Sequence, residues 1–311
     1  MAGIRILGHG LSQGDEVISN FDLEKIIRTS DSWIREKTGI EQRFFSKNKS
    51  NLDMAEEAAV RAIENSSVEA KDIDLILVCT FTPDYATPSV ACGIAGRLNL
   101  GEGVMCLDIN AACSGFVYGL SFAKSMLETK SAKCVLLIGS EKISPLLDME
   151  DRGTCILFGD GAGALILAED SCGEFESSAG VLYDDEVLFC ERFEPRVSMK
   201  GQEVYRFAVN KVPETIRTVL EKSGSFVEDV DWFIFHQANL RIIDSAAAKL
   251  KIPANKLYKN IQMYGNTSGA SIGICIAEMR EKGLLKNGMK VVCCGFGAGL
   301  TYGAAVFTVG E

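Results

Sequence analysis

Two stretches of this chain, 157 residues apart, follow one plan. In the first, Ala55, Ala59, Ala62 and Ile63 precede Lys71-Asp-Ile-Asp and the apolar run Leu75–Cys79. In the second, Val212, Ile216, Val219 and Leu220 precede Glu228-Asp-Val-Asp and the run Trp232–Phe235. The spacing i, i+4, i+7, i+8 marks one face of an α-helix. A short, wholly apolar run reads as a strand covered on both faces. A second echo closes each half. Phe158-Gly-Asp-Gly-Ala-Gly-Ala-Leu-Ile-Leu167 resembles Phe296-Gly-Ala-Gly-Leu-Thr-Tyr-Gly-Ala-Ala305 at an offset of 138, so the intervening loops differ in length. Self-similarity on this scale means a duplicated unit. Alternating helices and buried strands make that unit α/β. Two such units packed together predict a five-layer α/β/α/β/α body with halves over 1–170 and 171–311. The stretch 170–200, with Asp184-Asp-Glu186 and Glu191-Arg-Phe-Glu-Pro195, reads as loop or cap material.

Several function classes are excluded early. The net charge is −10, and no basic stripe for nucleic acid stands out. No apolar stretch is long enough to span a membrane. The opening Met-Ala-Gly-Ile-Arg-Ile lacks a secretory h-region, so the expectation is a cytoplasmic protein. The 11 cysteines include no Cys-x-x-Cys pair, and most lie in apolar runs. They read as core packing in a reducing compartment. There are only two histidines, His9 and His236, too few for a histidine-rich metal site. His9, between two glycines, reads as part of a surface turn.

Among the cysteines, Cys113 differs by position. The run Val104–Ile109 reads as a buried strand, and an apolar stretch over 114–127 reads as a buried helix. The thiol between them sits where orphan backbone N–H groups and the positive end of a helix dipole converge. That setting favours thiolate, the nucleophilic form. A small buried hydrophobe is the structural alternative.

Other parts fit the nucleophile. His236 ends the strand Trp232–Phe235, and active-site groups of sheet proteins gather at carboxyl ends of strands. Asn266, in Tyr264-Gly-Asn-Thr-Ser-Gly, is either a turn and cap residue or an amide donor to a carbonyl. The run Gly295-Phe-Gly-Ala-Gly-Leu-Thr-Tyr-Gly303 lets backbone approach a ligand and could lend an N–H to an oxyanion. It leads into a strand-like run, so it is not a dinucleotide fingerprint. Thiol, imidazole, amide and backbone N–H together suit acyl transfer through a thioester.

Six ordered strings, spanning about residues 3–309, resemble the β-ketoacyl-acyl carrier protein synthase III family. They are Thr29-Ser-Asp-Ser-Trp33-Ile-Arg-Glu-Lys-Thr-Gly-Ile40, Ala-Ala-Cys113-Ser-Gly, Asp151-Arg-Gly-Thr-Cys-Ile-Leu-Phe-Gly-Asp-Gly-Ala-Gly163, His236-Gln-Ala-Asn-Leu-Arg, Gly-Asn266-Thr-Ser and the glycine-rich run at 295–303. The resemblance implies a thiolase-like fold, a homodimer, and condensation of an acyl-CoA primer with malonyl-acyl carrier protein. CoA is then part of a substrate and no separate cofactor is implied. Cys113 would carry the acyl group, His236 and Asn266 would hold the malonyl thioester, and Ala298 would complete the oxyanion loop. CoA contacts map onto Thr29, Trp33, Lys37, Arg152, Gly201 and Asn239. Carrier-protein docking maps onto Arg206, Gln237, Arg241 and Lys249.

The chain departs from the family at several places. Lys37 stands for an arginine, so a point charge replaces a bidentate contact. Tyr302 stands for a tryptophan. Ala298 stands for a glycine, and a positive φ there would strain it. Thr87 replaces a phenylalanine that closes the acyl pocket across the dimer, which predicts room for a longer or branched chain. The segment 181–199 is short. The competing readings are a paralogous condensing enzyme or acyltransferase of a secondary pathway, a non-catalytic subunit, and a cysteine hydrolase.

Overall fold

A computed structural model describes residues 3–193 and 196–310; Glu194 and Pro195 of the expected loop segment lie outside the described residues, as do the outermost ends of the two expected halves. The first five major strands are β1 (Gly3–Gln13), β2 (Leu75–Cys79), β3 (Met105–Ile109), β4 (Val135–Glu141) and β5 (Gly161–Asp170), and they form one sheet in the order β1-β5-β4-β2-β3. The next five are β6 (Phe175–Asp184), β7 (Trp232–Phe235), β8 (Leu257–Tyr258), β9 (Lys290–Gly297) and β10 (Gly299–Thr308), in the order β6-β10-β9-β7-β8. The two orders are identical after a shift of five. In each sheet the first two pairings are antiparallel and the last two parallel. The duplicated unit expected from the repeat is the architecture of the molecule.

Six helices complete the layers: α1 (Asn51–Glu64), α2 (Val90–Arg97), α3 (Gly115–Glu128), α4 (Gly201–Ser223), α5 (Leu240–Leu250) and α6 (Ser271–Glu281). Side chains of α3 and α6, such as Phe116, Leu120, Ile276 and Met279, fill the space between the sheets. Helices α1 and α2 cover the outer face of the first sheet, and α4 and α5 that of the second. Strand β2 shows why its run has no polar residue. Leu75, Leu77 and Cys79 point into the central cluster, while Ile76 and Val78 point under α1 and α2. Alternation puts successive side chains on opposite faces, and both faces are dry.

Three local expectations differ from the structure. His9 lies within β1, half-buried, instead of on a turn. Its flanking glycines serve helix packing: a Cβ at Gly8 would lie 2.2 Å from the Ala62 carbonyl oxygen, and one at Gly10 2.3 Å from that of Ala58. Much of 170–200 is strand, because β6 pairs along β10 as a sheet edge, and an edge tolerates its polar residues. Strand β3 is likewise an edge; Met105 is 50% exposed, so Val104–Ile109 is not fully buried. No helix is long and apolar enough to cross a membrane among the described residues.

Candidate active site

The duplication brings the amino ends of α3 and α6 together. Each helix is preceded by a 3₁₀ turn, Ala112–Ser114 and Ser268–Ala270. Each turn begins with a non-glycine residue in the left-handed region, Ala112 at φ 46° and Ser268 at φ 47°. Such conformations cost about 1–3 kcal/mol and persist where surrounding structure holds them. Asn266 helps here: its Oδ1 accepts the Ser268 N–H at 2.9 Å. Across the gap, the Ser268 hydroxyl lies 3.2 Å from the Cys113 sulfur and donates to it. With Oδ1 engaged, the Asn266 amide nitrogen is the end left to donate elsewhere.

The β9–β10 hairpin closes over Cys113. A Cβ on Gly297 would lie 2.6 Å from the Cys113 nitrogen, so only glycine permits this approach. Ser114 Oγ bonds Thr301 Oγ1 at 2.7 Å, and Thr301 Oγ1 lies 3.0 Å from the carbonyls of Ala111 and Ala298. Those bonds lock the hairpin to the cysteine turn. Ala298 is not among the positive-φ residues, so its methyl carries no such strain.

His236 follows β7, is 1% exposed, and stands edge-on to Phe296 with centroids 5.5 Å apart. Its Nδ1 lies 2.7 Å from Ser271 Oγ, which also accepts the Gln237 N–H at 3.3 Å. The buried Ser271 proton has no other acceptor among the described residues, so it goes to Nδ1, and Nε2 carries the ring hydrogen. Burial lowers the imidazole to about 3. His236 is therefore a neutral N–H donor.

Cys113 also departs from expectation. Burial pushes its thiol up to about 12; the Ser268 hydrogen bond pulls the other way, and buried Glu141 adds to the rise. Burial thus favours the thiol, against the thiolate expected from the helix end. The thiol borders an apolar cavity of about 160 Å³, lined among others by Phe81, Phe158, Leu188, Phe189, Ala298 and Ser268.

The residues expected around this centre divide. Trp33 lies under the Arg152 guanidinium, 4.4 Å from the ring centroid. Lys37 Nζ is paired with Glu36 at 2.5 Å. Asn239 caps α5, accepting from Arg241 N, and donates to the Lys37 carbonyl at 3.0 Å. Thr29 Oγ1 is buried without a partner among the described residues, and Gly201 is exposed at the start of α4. Arg206, Arg241 and Lys249 are exposed on α4 and α5. Gln237 is not: it is 1% exposed, and its amide bonds Phe235 O and Asn260 N, so it offers no docking surface. Thr87 is exposed and does not line the cavity of its own chain. Sequence reasoning passed over Phe81, Glu141, Ser268 and Ser271. Glu141 had left one signal, a carboxylate closing the run Val135-Leu-Leu-Ile-Gly-Ser140, whose first four residues are apolar.

A buried thiol, an imidazole and an amide at neighbouring element ends, and a glycine-rich hairpin packed on the thiol's turn, on a duplicated thiolase fold, fit the class of acyl-transferring condensing enzymes. Residues 107–182 match the family model for 3-oxoacyl-[acyl-carrier-protein] synthase III, and residues 220–309 match the model for its C-terminal part. The chain is 42% identical to the β-ketoacyl-[acyl-carrier-protein] synthase III of Clostridium acetobutylicum and 43% identical to that of Fusobacterium nucleatum, covering 98% of each and of itself. The solved 3-oxoacyl-[acyl-carrier-protein] synthase III of Aquifex aeolicus VF5 superposes with TM-score 0.95 at 41% identity, over 98% of this chain and all of that one. The chain belongs to the β-ketoacyl-[acyl-carrier-protein] synthase III family.

Proposed function

We propose that this enzyme condenses an acyl-CoA primer with malonyl-acyl carrier protein through an acyl-Cys113 intermediate, initiating type II fatty acid biosynthesis. One observation carries the reading. Cys113 Sγ borders an apolar cavity 3.2 Å from the Ser268 hydroxyl, and His236 Nε2 and Asn266 Nδ2 are left free to donate. Relatives at 42–43% identity bear the name of the fatty-acid enzyme, so the secondary-pathway alternative is not favoured.

In the first half-reaction the Cys113 sulfur attacks the primer thioester. Its proton leaves with the CoA sulfur, which fits a thiol neutral at rest. The oxyanion lies at the N–H groups of Cys113 and Ala298. In the second, the malonyl thioester oxygen takes hydrogen bonds from His236 Nε2 and Asn266 Nδ2. CO₂ departs, and the two donors hold the enolate. Its carbon attacks the acyl-Cys113 carbonyl, and the C–S bond breaks. The freed thiolate regains a proton from water. Each preorganised donor at a developing oxyanion contributes about 3–4 kcal/mol.

The cavity sets the room for the primer on this chain's side. Its roughly 160 Å³ is close to the ~150 Å³ that accommodates a benzene ring, so a short acyl group fits it as it stands. Phe81 fills space on this chain's side, so Thr87 alone does not imply a long chain. Thr29, Trp33, Lys37, Arg152, Gly201 and Asn239 form the proposed CoA entrance, where Arg152 must leave the Trp33 face to admit the adenine. Arg206, Arg241 and Lys249 offer positive charge to an acidic carrier protein. The exposed edge β3 supports a homodimer, since an unpaired edge is normally covered. Location in the cytoplasm and the division into halves at 170/171 complete the proposal.

The test is intact-protein mass after mixing with acetyl-, isobutyryl- or octanoyl-CoA. An adduct absent in Cys113→Ala and discharged by malonyl-acyl carrier protein as β-ketoacyl product supports the reading. No adduct with any of the three overturns the CoA-primed route.

A further inference from the structure

Glu141 ends β4 with its carboxyl wholly buried. Three donors converge on one of its oxygens: Thr80 Oγ1 at 3.2 Å, Phe81 N at 3.2 Å and Thr82 Oγ1 at 2.7 Å. The donor sense is fixed by the surroundings. Lys142 N donates to Thr82 Oγ1, and Thr82 N and Asn51 Nδ2 donate to Thr80 Oγ1, so both hydroxyl protons are free to donate: that of Thr82 lies nearest Glu141, and that of Thr80 is shared between Glu141 and Thr82 Oγ1 at 3.4 Å. The other oxygen has only the Gly269 N–H, at 3.4 Å. Gly269 follows Ser268, the donor to Cys113. The carboxyl thus joins the loop that carries Phe81 in the first half to the loop that carries Asn266 and Ser268 in the second.

Asp160 makes a useful contrast. It too is buried, but Ser46 N, Ile143 N, Ser144 N and Ser144 Oγ cover both of its oxygens. That is a structural clamp. Glu141 is bonded mainly through one oxygen, and its other oxygen adjoins the cysteine turn: a Cβ on Gly269 would lie 3.1 Å from Glu141 Oε1 and 3.3 Å from the Ala112 carbonyl oxygen.

We propose that Glu141 is a positioning residue whose charge state governs how readily the Cys113 thiol ionises. Burial against its three donors leaves the carboxyl at about 7, within the working range of an enzyme. The ionisable groups facing it are two thiols: Cys79 from β2 and Cys113 from the cysteine turn, each raised in part by the Glu141 charge. The Ser268–Ser271 turn and α1's Asn51 present no ionisable group. His236 is held neutral by burial. The neighbouring Lys142 ammonium is turned to the Lys49 carbonyl at 2.6 Å, and Asp108 to the first N–H groups of α2. A protonated Glu141 therefore permits the thiolate, and an ionised one opposes it.

The proposal rests on Cys113 as the nucleophile but not on any acyl donor. The experiment is alkylation of Cys113 by iodoacetamide from pH 6 to 9, read by peptide mass so that the exposed Cys92 and Cys172 do not contribute. In wild type, the logarithm of the rate against pH bends to a slope below one near 7 and then recovers. In Glu141→Gln the bend disappears, and the ratio of variant to wild-type rate climbs from about one at pH 6 to about threefold or more at pH 8.5, the equivalent of roughly half a pKa unit. Glu141→Asp, which keeps the charge, retains the bend. A straight wild-type line of unit slope overturns the proposal even if Glu141→Gln does not fold. A ratio constant across pH also overturns it, since that marks a merely structural role. Cys113 resisting alkylation at every pH would instead strike the nucleophile reading, and the acyl-CoA assay checks that separately.

Discussion

Ser271→Ala tests the assignment of His236 as a neutral Nε2–H donor. Ser271 is 2% exposed; its oxygen accepts from Gln237 N, and its proton serves His236 Nδ1 at 2.7 Å. The other tautomer would leave that buried hydroxyl proton without an acceptor, which costs about 1–3 kcal/mol. At about 1.4 kcal/mol per factor of ten, the Nε2–H form is favoured by roughly 5- to 150-fold. Alanine removes the preference and frees the ring to turn. The upper bound is the loss of one oxyanion donor, about 10²- to 10³-fold in kcat. The expected result is a decarboxylation rate for malonyl-acyl carrier protein lower by about 10- to 100-fold, with burst acylation of Cys113 changed less than about threefold, because acylation does not use Nε2. Ser271→Thr keeps a hydroxyl and restores most of the rate. Imidazole ¹⁵N shifts read the tautomer directly. Equal losses in both half-reactions, or wild-type decarboxylation in a folded Ser271→Ala protein, would refute the reasoning.

Further outcomes follow from the same geometry. Gly297→Ala drives a methyl to 2.6 Å from the Cys113 nitrogen; melts should show a loss of about 1–3 kcal/mol, and burst acylation should fall at least about tenfold. Phe81→Ala enlarges the cavity and should move the preferred acyl-CoA toward eight carbons in a competition assay, with acetyl-CoA use unimproved. Two buried groups oppose each other in the pH dependence of stability. The folded pKa of His236 is lowered from 6.5 to about 3, so its contribution is present above 6.5 and lost as pH falls toward 3. The folded pKa of Glu141 is raised from 4.5 to about 7, so its contribution is present below 4.5 and lost as pH rises through 7. Between 4.5 and 6.5 the slopes offset each other. Glu141→Gln removes one of them, and the unfolding free energy from urea titrations should then fall with acidification by about 1.4 kcal/mol per pH unit relative to wild type.

What could be read from the residues alone follows from where burial leaves no choice. Leu75–Cys79 and Trp232–Phe235 are apolar throughout because both faces of each strand are covered, and their partner helices repeat one spacing. Duplication was therefore visible before any coordinate. Edges defeat the same logic: β6 and β3 each lack a neighbour on one side, so polar residues enter them and the pattern fades. At Gly8 and Gly10 a composition typical of turns records instead how closely α1 lies on β1. The site divides in the same way. Cys113, His236 and Asn266 stand at element ends, where local sequence marks a junction. Ser271, Ser268 and Glu141 act only through partners 35, 155 and 128 residues away in the chain, and no local pattern encodes those meetings. The last two exist because equivalent turns from the two halves, Ala112–Ser114 and Ser268–Ala270, face each other across the interior, whereas Ser271 meets His236 within the second half. The duplication thus does more than build two sheets. It places the Cys113 thiol in one copy of a turn and its hydrogen-bond donor in the other, and Glu141 joins the loops of both halves.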